Sequence, residues 1–469
     1  MDRNVVLIVL DSVRKDYFDR YASELQRRGN LAFEQARAAS SWSTPSHASM
    51  FVGGLPHQYG IHTYQRSFSG LSRDDTFLGR LDDHRSIGIS SNFYIGSSHG
   101  FNGPFDEFVD ITPRIRYPDS WETFPSDGLS RYPKVVLRSI QSDKTKEYLS
   151  NAVSSVLRSR FDGVPLPSPY DDGAVPTVRV AKRRAETTSE PFFMFVNFMD
   201  VHQPLSPHLG LDNSRHSVKH SWSSTEEFYR AKWDINARNR IDDHETFLSN
   251  YRALYGAAVE YVDRKASALV DAVQRSSDRP TTFVITADHG ENLGFEGDDY
   301  RFEHTDSLSE ALLHVPLCVI NAPLENDRTI DSYVSQARMG ELITGMAVDE
   351  VPDVTDESIA AEVLGLSPGS STLSDAERRE MDRTIRAAYR GADKVLWDTH
   401  GKSAEYRIDL AVASSQEHLD DGVDVPSWAT GLFDEDIESA RSAAIEAGER
   451  STSDIDARAE RRLQELGYL

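Results

Sequence analysis

The sequence predicts a protein of the α/β class, with a mostly parallel central sheet, helices on both faces of that sheet, and a small C-terminal α+β subdomain. Short apolar runs rich in β-branched and aromatic residues recur along the chain, and helical or loop segments separate them. This alternation is typical of a parallel sheet, because each crossover connection carries a helix across one face. The length of 469 residues suffices for a large domain with a smaller one appended to it.

Five apolar runs are the predicted strands of the central sheet: Val5–Leu10, Arg85–Ser91, Phe192–Phe198, Thr282–Thr286 and Val315–Ile320. After the first run, Tyr17, Tyr21 and Leu25 recur at helical spacing, which predicts one helix there. A longer helix is predicted over Tyr251–Ser276, where apolar residues recur on one face. This helix would supply the crossover connection that precedes the fourth strand.

The C-terminal part of the chain differs in composition, with short acidic stretches from about residue 349 onward. Lys394–Trp397 and Tyr406–Leu410 flank a turn at Gly401, and this pattern predicts a β-hairpin. The segment Ile437–Leu469 is rich in Ala, Glu and Arg and predicts a closing helix with a glycine cap. We therefore expect two domains, residues 1–350 and residues 351–469.

The charge balance excludes some partners. Asp and Glu number 75 against 51 Lys and Arg, which gives a formal net charge of −24. A surface of this sign repels nucleic acid and anionic membranes, so we expect neither as a partner. Most of the basic residues are arginine, and such an acidic surface stays hydrated in concentrated salt, which suggests a halophilic source.

The sequence also predicts the compartment. The single cysteine, Cys318, lies within a predicted strand, so no intramolecular disulfide can form and a buried position is expected. No apolar stretch reaches the roughly 20 residues of a membrane span, and the first apolar run lacks a signal-peptide cleavage region. We therefore expect a soluble, cytoplasmic protein.

Polar residues directly after the predicted strands are the candidate ligand-binding residues, because open α/β sheets bind ligands beyond the carboxyl ends of their strands. Asp11 follows the first strand and His202 follows the third. The fourth strand leads into Asp288-His289-Gly290, where a carboxylate and an imidazole offer two ligands to one divalent ion. Taken singly, Asp11 also fits a helix cap and His202 a structural loop histidine.

A fourth candidate lies between these strands, in Ser43-Thr44-Pro45-Ser46-His47. Pro45 suits the first turn of a helix, whose free N–H groups would point at whatever group Ser43 attacks. The alternative is a serine that only caps the helix. The four candidate sites carry more weight together than any of them does alone.

The ordered set of motifs resembles the sulfatase family of the alkaline phosphatase superfamily, over roughly residues 4–347. The motifs that carry the resemblance are Asn4–Asp11, Ser43–His47, His202-Gln203-Pro204 and Asp288-His289-Gly290. The resemblance implies an alkaline-phosphatase-like fold, with residues 1–350 as the catalytic domain. It also implies a metal-dependent hydrolase of sulfate esters, acting on a small-molecule or glycan anionic ester.

The resemblance implies a role for individual residues. Ser43, or its modified form, would be the nucleophile, and His202 and His304 would face the anionic oxygens of the substrate. A bound metal would lower the pKa of the hydroxyl and neutralise charge on the transferred group. The residues implied as ligands of one divalent ion are Asp11, Ser43, Asp288 and His289.

Two departures from the family pattern concern the reaction type. Ser12 follows Asp11 where the family has a second Asp, which together with His289 favours zinc or manganese over calcium. The family's nucleophile motif ends in Arg, and His47 stands at that position, so conversion of Ser43 to a formylglycine is less expected. An unmodified Ser43 is typical of the phosphoryl-transferring members of the superfamily.

Two alternatives to a sulfatase follow. A phosphodiesterase, phosphomonoesterase or phosphotransferase would use unmodified Ser43, and water would then release the enzyme intermediate with His202 or His47 as the base. A catalytically silent carbohydrate-binding relative would keep the fold without the chemistry. The intact set of candidate ligands argues against that second alternative.

Overall fold

Two large β-sheets and one two-stranded antiparallel sheet organise the part of the chain that this computed structural model describes, residues 3–111, 167–304, 306–366 and 372–451. The strands in chain order are β1 (Asn4–Leu10), β2 (Gly29–Arg37), β3 (Arg85–Ser90), β4 (Glu107–Asp110), β5 (Phe192–Phe198), β6 (Thr281–Thr286), β7 (Asn292–Leu293), β8 (Phe302–Glu303), β9 (Leu317–Ile320), β10 (Arg328–Ser335), β11 (Ser358–Leu364), β12 (Thr384–Arg390), β13 (Asp393–Asp398), β14 (Ser403–Ile408) and β15 (Gln416–Asp421). The α-helices are α1 (Lys15–Tyr21), α2 (Ser23–Arg28), α3 (Ser43–Val52), α4 (Pro56–Tyr59), α5 (Ala174–Thr187), α6 (Phe228–Asn236), α7 (Glu245–Ser276), α8 (Glu310–Leu313), α9 (Met339–Ala347), α10 (Asp375–Met381), α11 (Ser427–Thr430) and α12 (Ile437–Ser451).

The central sheet has the strand order β10-β2-β9-β6-β1-β5-β3-β4. Strand β1 pairs in parallel with β5 on one side and with β6 on the other. Strand β9 is antiparallel to both of its neighbours, β2 and β6. The remaining pairs, β3 with β4, β3 with β5 and β10 with β2, are parallel. The predicted mostly parallel sheet is confirmed.

Both faces of the central sheet are covered. All seven residues of β1 are buried, and because successive side chains point to opposite faces, neither face of this strand meets solvent. Helix α7 packs on α1, α2 and α5, whereas α9 packs on α3 and against β1 and β6. Cys318 lies buried in β9, as predicted. Among the described helices, none combines the length and the apolarity needed to cross a bilayer.

The helix predicted after β1 is wrong in one respect, because the structure forms two helices, α1 and α2, that meet at Ala22. The carboxylate of Asp263 on α7 accepts the backbone N–H groups of Glu24 and Leu25, both at 2.9 Å. It therefore caps the start of α2 from a distant part of the chain. Helix α7 itself begins at Glu245, earlier than predicted.

The second sheet is antiparallel throughout, in the order β11-β12-β13-β14-β15. Strands β13 and β14 form the hairpin predicted across Gly401, whose φ of +73° is a conformation that glycine adopts without strain. The predicted closing helix appears as α12, and its continuation beyond residue 451 lies outside the described residues. The division into residues 1–350 and 351–469 stays a prediction.

Candidate active site

Three of the predicted metal ligands meet at the carboxyl edge of the central sheet. Asp11 follows β1, and Asp288 and His289 follow the adjacent parallel strand β6, so the strand ends bring them to one place. All three residues are fully buried. Each offers one ligand atom, and these atoms lie within 4.8 Å of one another.

The ring of His289 is oriented as a metal ligand requires. Its Nδ1–H donates to the carbonyl oxygen of Gly290 at 2.7 Å, which leaves the lone pair of Nε2 toward the two carboxylates. Burial and the neighbouring His304 hold the pKa of the His289 imidazole well below its usual value, so the ring is neutral. Gly290 is required at the turn, because a Cβ there would lie 1.9 Å from the carbonyl oxygen of Ala311.

The carboxylate of Asp288 has one satisfied and one unsatisfied oxygen. Oδ1 accepts the backbone N–H groups of Ser12 and His289, each at 3.0 Å. Oδ2 is buried and has no hydrogen-bond partner. A buried carboxylate oxygen without a partner is costly, and a divalent cation is the group that would satisfy it beside a second carboxylate and an imidazole. The residues present therefore fit a divalent metal ion.

Two asparagines donate hydrogen bonds to the carboxylate of Asp11. Neither was predicted from the sequence. The side chain of Asn92 donates to Asp11 Oδ2 at 2.7 Å, and that of Asn197 donates to the same oxygen at 3.3 Å. Asn92 follows the strand β3, so the rule that located Asp11 also points to it. Asn197 lies within the apolar strand β5, and its sequence context gave no signal.

Ser43 lies beside the carboxylates at the start of α3. Its Oγ is 3.5 Å from Asp11 Oδ2 and 3.4 Å from His289 Nε2. Pro45 lies in the first turn of α3, as predicted. The structure thus brings together the four residues that the resemblance implied as ligands.

His47 lies one helical turn after Ser43 and faces the protein interior. Its Nδ1–H donates to the carbonyl oxygen of Ser43 at 2.8 Å, and the same nitrogen is 3.6 Å from Asp288 Oδ2. The ring is fully buried and packs edge-to-face against Phe101 and Phe195. It therefore contacts the candidate site from the interior side of α3, the helix that carries Ser43.

His304 and His202 extend the site on its other side. The ring centroid of His304 is 4.5 Å from that of His289 and 5.4 Å from that of His202. Nδ1 of His304 pairs with Glu291 Oε2 at 3.1 Å. Burial lowers the pKa of His304, but Glu303 and Glu291 outweigh it and raise this pKa to about 9. Glu291 was missed in the sequence, although it lies only three residues after Asp288.

Helix α6, within the segment between His202 and residue 242, holds the strand that leads to His304. The side-chain amide of Asn236 donates to the carbonyl oxygen of Phe302 at 2.7 Å and accepts its N–H at 3.0 Å. Lys232 on the same helix pairs with Glu303 at 2.9 Å. This segment therefore helps to place His304.

A serine hydroxyl beside two carboxylates and an imidazole that can hold a divalent ion is an arrangement that can support the hydrolysis of esters. The chain belongs to the sulfatase family, whose model, described as Sulfatase, matches residues 3–347. The resemblance found in the motifs is confirmed. The protein is a sulfuric ester hydrolase by family. No curated protein matches the chain.

Solved structures share the fold over most of the chain. A 2-O GAG sulfatase is 13% identical with a TM-score of 0.53, covering 99% of this chain and 93% of its own. The phosphonate monoester hydrolase of Agrobacterium radiobacter is 14% identical with a TM-score of 0.55, covering 87% of this chain and 89% of its own. A third protein, Ps i-CgsB, solved in complex with k-i-k-neocarrahexaose, is 15% identical with a TM-score of 0.53, covering 99% and 98%. These likenesses show the shared fold, and the predicted fold class is confirmed.

Proposed function

We propose that the protein hydrolyses sulfate esters of glycans or small molecules, with Ser43 or its modified form as the nucleophile. The observation that carries the proposal is the position of Ser43 Oγ, 3.5 Å from Asp11 Oδ2 and 3.4 Å from His289 Nε2. The unsatisfied Oδ2 of Asp288 lies in the same group. A nucleophile, two carboxylates and a neutral imidazole are the groups that such a reaction requires.

Asp11, Ser43, Asp288 and His289 would hold one divalent ion. When bound, the ion supplies positive charge that favours the ionised form of the nucleophile and neutralises the transferred group. Zinc or manganese is favoured over calcium, because His289 offers nitrogen and Ser12 replaces a carboxylate.

The chain's own residues complete the proposed site. His304 and His202 bind the anionic oxygens of the substrate, and a histidine at this place can protonate the leaving oxygen. Glu291 orients His304 through Nδ1. His47, buried behind Ser43, acts as a positioning residue, because its hydrogen bond to the Ser43 carbonyl oxygen fixes the first turn of α3.

The substrate class also belongs to this proposal. One structural neighbour is a 2-O GAG sulfatase, and another was solved with D-glucosamine-2-N,6-O-disulfate, described as its substrate. These neighbours support a sulfated glycan as the ester that this chain cleaves.

One observation favours phosphoryl transfer as the second candidate. His47 stands where the family's nucleophile motif has Arg, which favours an unmodified Ser43. Water would then hydrolyse the intermediate, and half-buried His202 is better placed as its base than fully buried His47. The structural likeness to phosphonate monoester hydrolases is consistent with this chemistry.

The deciding experiment compares turnover of paired aryl sulfate and aryl phosphate mono- and diesters by protein loaded with zinc or manganese, in low and high salt. Ser43→Ala and Asp288→Asn serve as loss-of-function variants. Faster sulfate cleavage that needs Ser43 supports the sulfatase, and mass spectrometry of residue 43 then reports whether it is modified. Faster phosphate cleavage supports phosphoryl transfer. Wild-type protein that cleaves no ester, or variants with near-normal turnover, contradicts the proposed site.

A further inference from the structure

A fully buried ionic cluster joins the central sheet to the C-terminal sheet. Glu310, the first residue of α8, lies between Arg37 at the end of β2 and Lys394 on β13, and their side chains are 0%, 1% and 0% exposed. Glu310 Oε2 is 2.9 Å from the Arg37 guanidinium, and Oε1 is 3.2 Å from Lys394 Nζ. The hydroxyl of Tyr389 on β12 donates to Oε1 at 2.6 Å. Buried charges are costly, so removing one partner of such a cluster has a large effect.

Helix α8, which begins at Glu310, lies directly against Gly290, the residue after the candidate metal ligand His289. The backbone N–H of Gly290 donates to the carbonyl oxygen of Leu312 at 2.8 Å. The carbonyl oxygen of Ala311 lies so close to Gly290 that no side chain fits between them. A shift of α8 would therefore displace the turn that carries Asp288 and His289.

The same cluster also reaches the pair of strands β7 and β8, whose last residue, Glu303, directly precedes His304. Lys394 Nζ donates to the carbonyl oxygen of Leu308 at 2.7 Å, which fixes the segment just before α8. Within that segment, the hydroxyl of Ser309 donates to Asn292 Oδ1 at 2.6 Å. The amide of Asn292 donates in turn to the carbonyl oxygen of Glu303 at 2.7 Å, next to His304.

We infer that Glu310 and Lys394 are positioning residues. Through them, the C-terminal sheet holds in place the Asp288–Gly290 turn and strand β8, which directly precedes His304. The inference rests on the proposed metal site for its functional meaning. Changing groups that orient metal ligands typically weakens metal binding by about 10-fold to 100-fold. The C-terminal sheet is therefore needed for a competent metal centre, although it contributes none of the proposed ligands.

The test uses Lys394→Met in the full chain, which removes the charge and keeps an apolar side chain of similar length. Calorimetric titration with Zn²⁺ and with Mn²⁺ should show an affinity about 10-fold or more below that of the wild type. Tyr389→Phe, a milder variant that removes one hydrogen bond to Glu310, should give a smaller loss and replaces Lys394→Met if that chain fails to fold.

A matched control comes from the same sheet. Arg383 pairs with Asp398 at 3.0 Å, with side chains 12% and 5% exposed, so Arg383→Met also removes an ion pair that is largely shielded from solvent. This variant should lower the melting temperature and leave metal affinity unchanged. Equal loss of affinity in Arg383→Met and Lys394→Met overturns the inference, because the effect would then reflect general loosening of the sheet.

A second readout does not depend on metal. Amide hydrogen exchange of the metal-free protein should be faster in peptides covering residues 288–293 and 306–313 of Lys394→Met, and unchanged there in Arg383→Met. Unaltered exchange together with unaltered metal affinity overturns the inference. A wild-type chain that binds neither ion contradicts the proposed function instead, and the exchange measurement then still decides whether Lys394 positions the turn.

Discussion

Glu310 should make the stability of the protein depend on pH in a calculable way. Burial raises the pKa of this carboxyl group, but Arg37 and Lys394 outweigh burial and lower the pKa from 4.5 to about 2. A lowered carboxyl pKa means that the folded state binds the proton less tightly than the unfolded state does. The stabilisation is therefore complete well above pH 4.5 and is lost as the pH falls through 4.5 toward 2.

The size of the effect follows from the shift. A pKa lowered from 4.5 to about 2 corresponds, at 1.36 kcal/mol per pKa unit, to about 3 kcal/mol of stabilisation at pH 7. The same relation leaves about 1 kcal/mol at pH 3, so about 2 kcal/mol is lost between the two pH values.

The assay is urea unfolding of the wild type and of Glu310→Gln at pH 7 and pH 3. At pH 7 the variant leaves two buried cations without their carboxylate, and a loss of about 3–5 kcal/mol is expected. The difference between the two proteins should shrink by about 2 kcal/mol at pH 3. The control is Glu380→Gln, because Glu380 pairs with Lys402 at the surface and should matter much less at either pH. An equal difference at both pH values would refute the reasoning.

Three further predictions follow from single features. Asp263→Ala removes the carboxylate that caps α2 and should cost about 1–2 kcal/mol in thermal unfolding, whereas an unchanged melting curve would mean that α2 needs no cap. Gly290→Ala places a Cβ 1.9 Å from the carbonyl oxygen of Ala311, so metal titration should show strongly weakened binding, and wild-type affinity would contradict the close packing. The net charge of −24 predicts that solubility is maintained in molar salt, and precipitation as salt is raised would remove the halophilic hypothesis.

Within the central sheet, the strands that the sequence located are those whose burial is continuous or nearly so. Strands β1 and β5 are buried at every residue, so each is an unbroken apolar run. Strand β2 alternates buried and half-buried residues, and β10 lies at the edge of the sheet with its first five residues half-buried or exposed. A partly solvated strand has no continuous apolar run, and these two strands were therefore not predicted. The antiparallel direction of β9 depends on its neighbours and has no local signal.

The residues of the candidate site also fall into a group that the sequence located and a group that it missed. Asp11 and the Asp288-His289-Gly290 turn were located because each directly follows an apolar strand. The groups that orient them, Asn197 and Lys394, come from distant parts of the chain. Their role is set by which strands become neighbours, and strand order is a property of the whole sheet. Sequence patterns therefore predict where ligands lie more readily than what holds them.

His47 is a fully buried residue beside the proposed metal site. Its Nδ1 lies 3.6 Å from Asp288 Oδ2, the carboxylate oxygen without a hydrogen-bond partner. The hydrogen bond from Nδ1 to the Ser43 carbonyl oxygen keeps its proton away from that oxygen, and the ring packs between Phe101 and Phe195. An arginine here would place a permanent cation in the same pocket, and Asp288 Oδ2 is the acceptor it would reach for.

The substitution His47→Arg, which restores the family's residue, should therefore weaken zinc and manganese binding by about 10-fold or more, because the guanidinium competes with the ion for one oxygen. His47→Asn is the matched neutral control, since its amide can donate to the same carbonyl oxygen, and it should bind metal within a few-fold of the wild type. Calorimetric titration of both variants measures the difference. Metal binding that is unchanged or tighter in His47→Arg would mean that the oxygen of Asp288 is not the ligand that fixes the ion, and that the arginine of the family is compatible with this site as it stands.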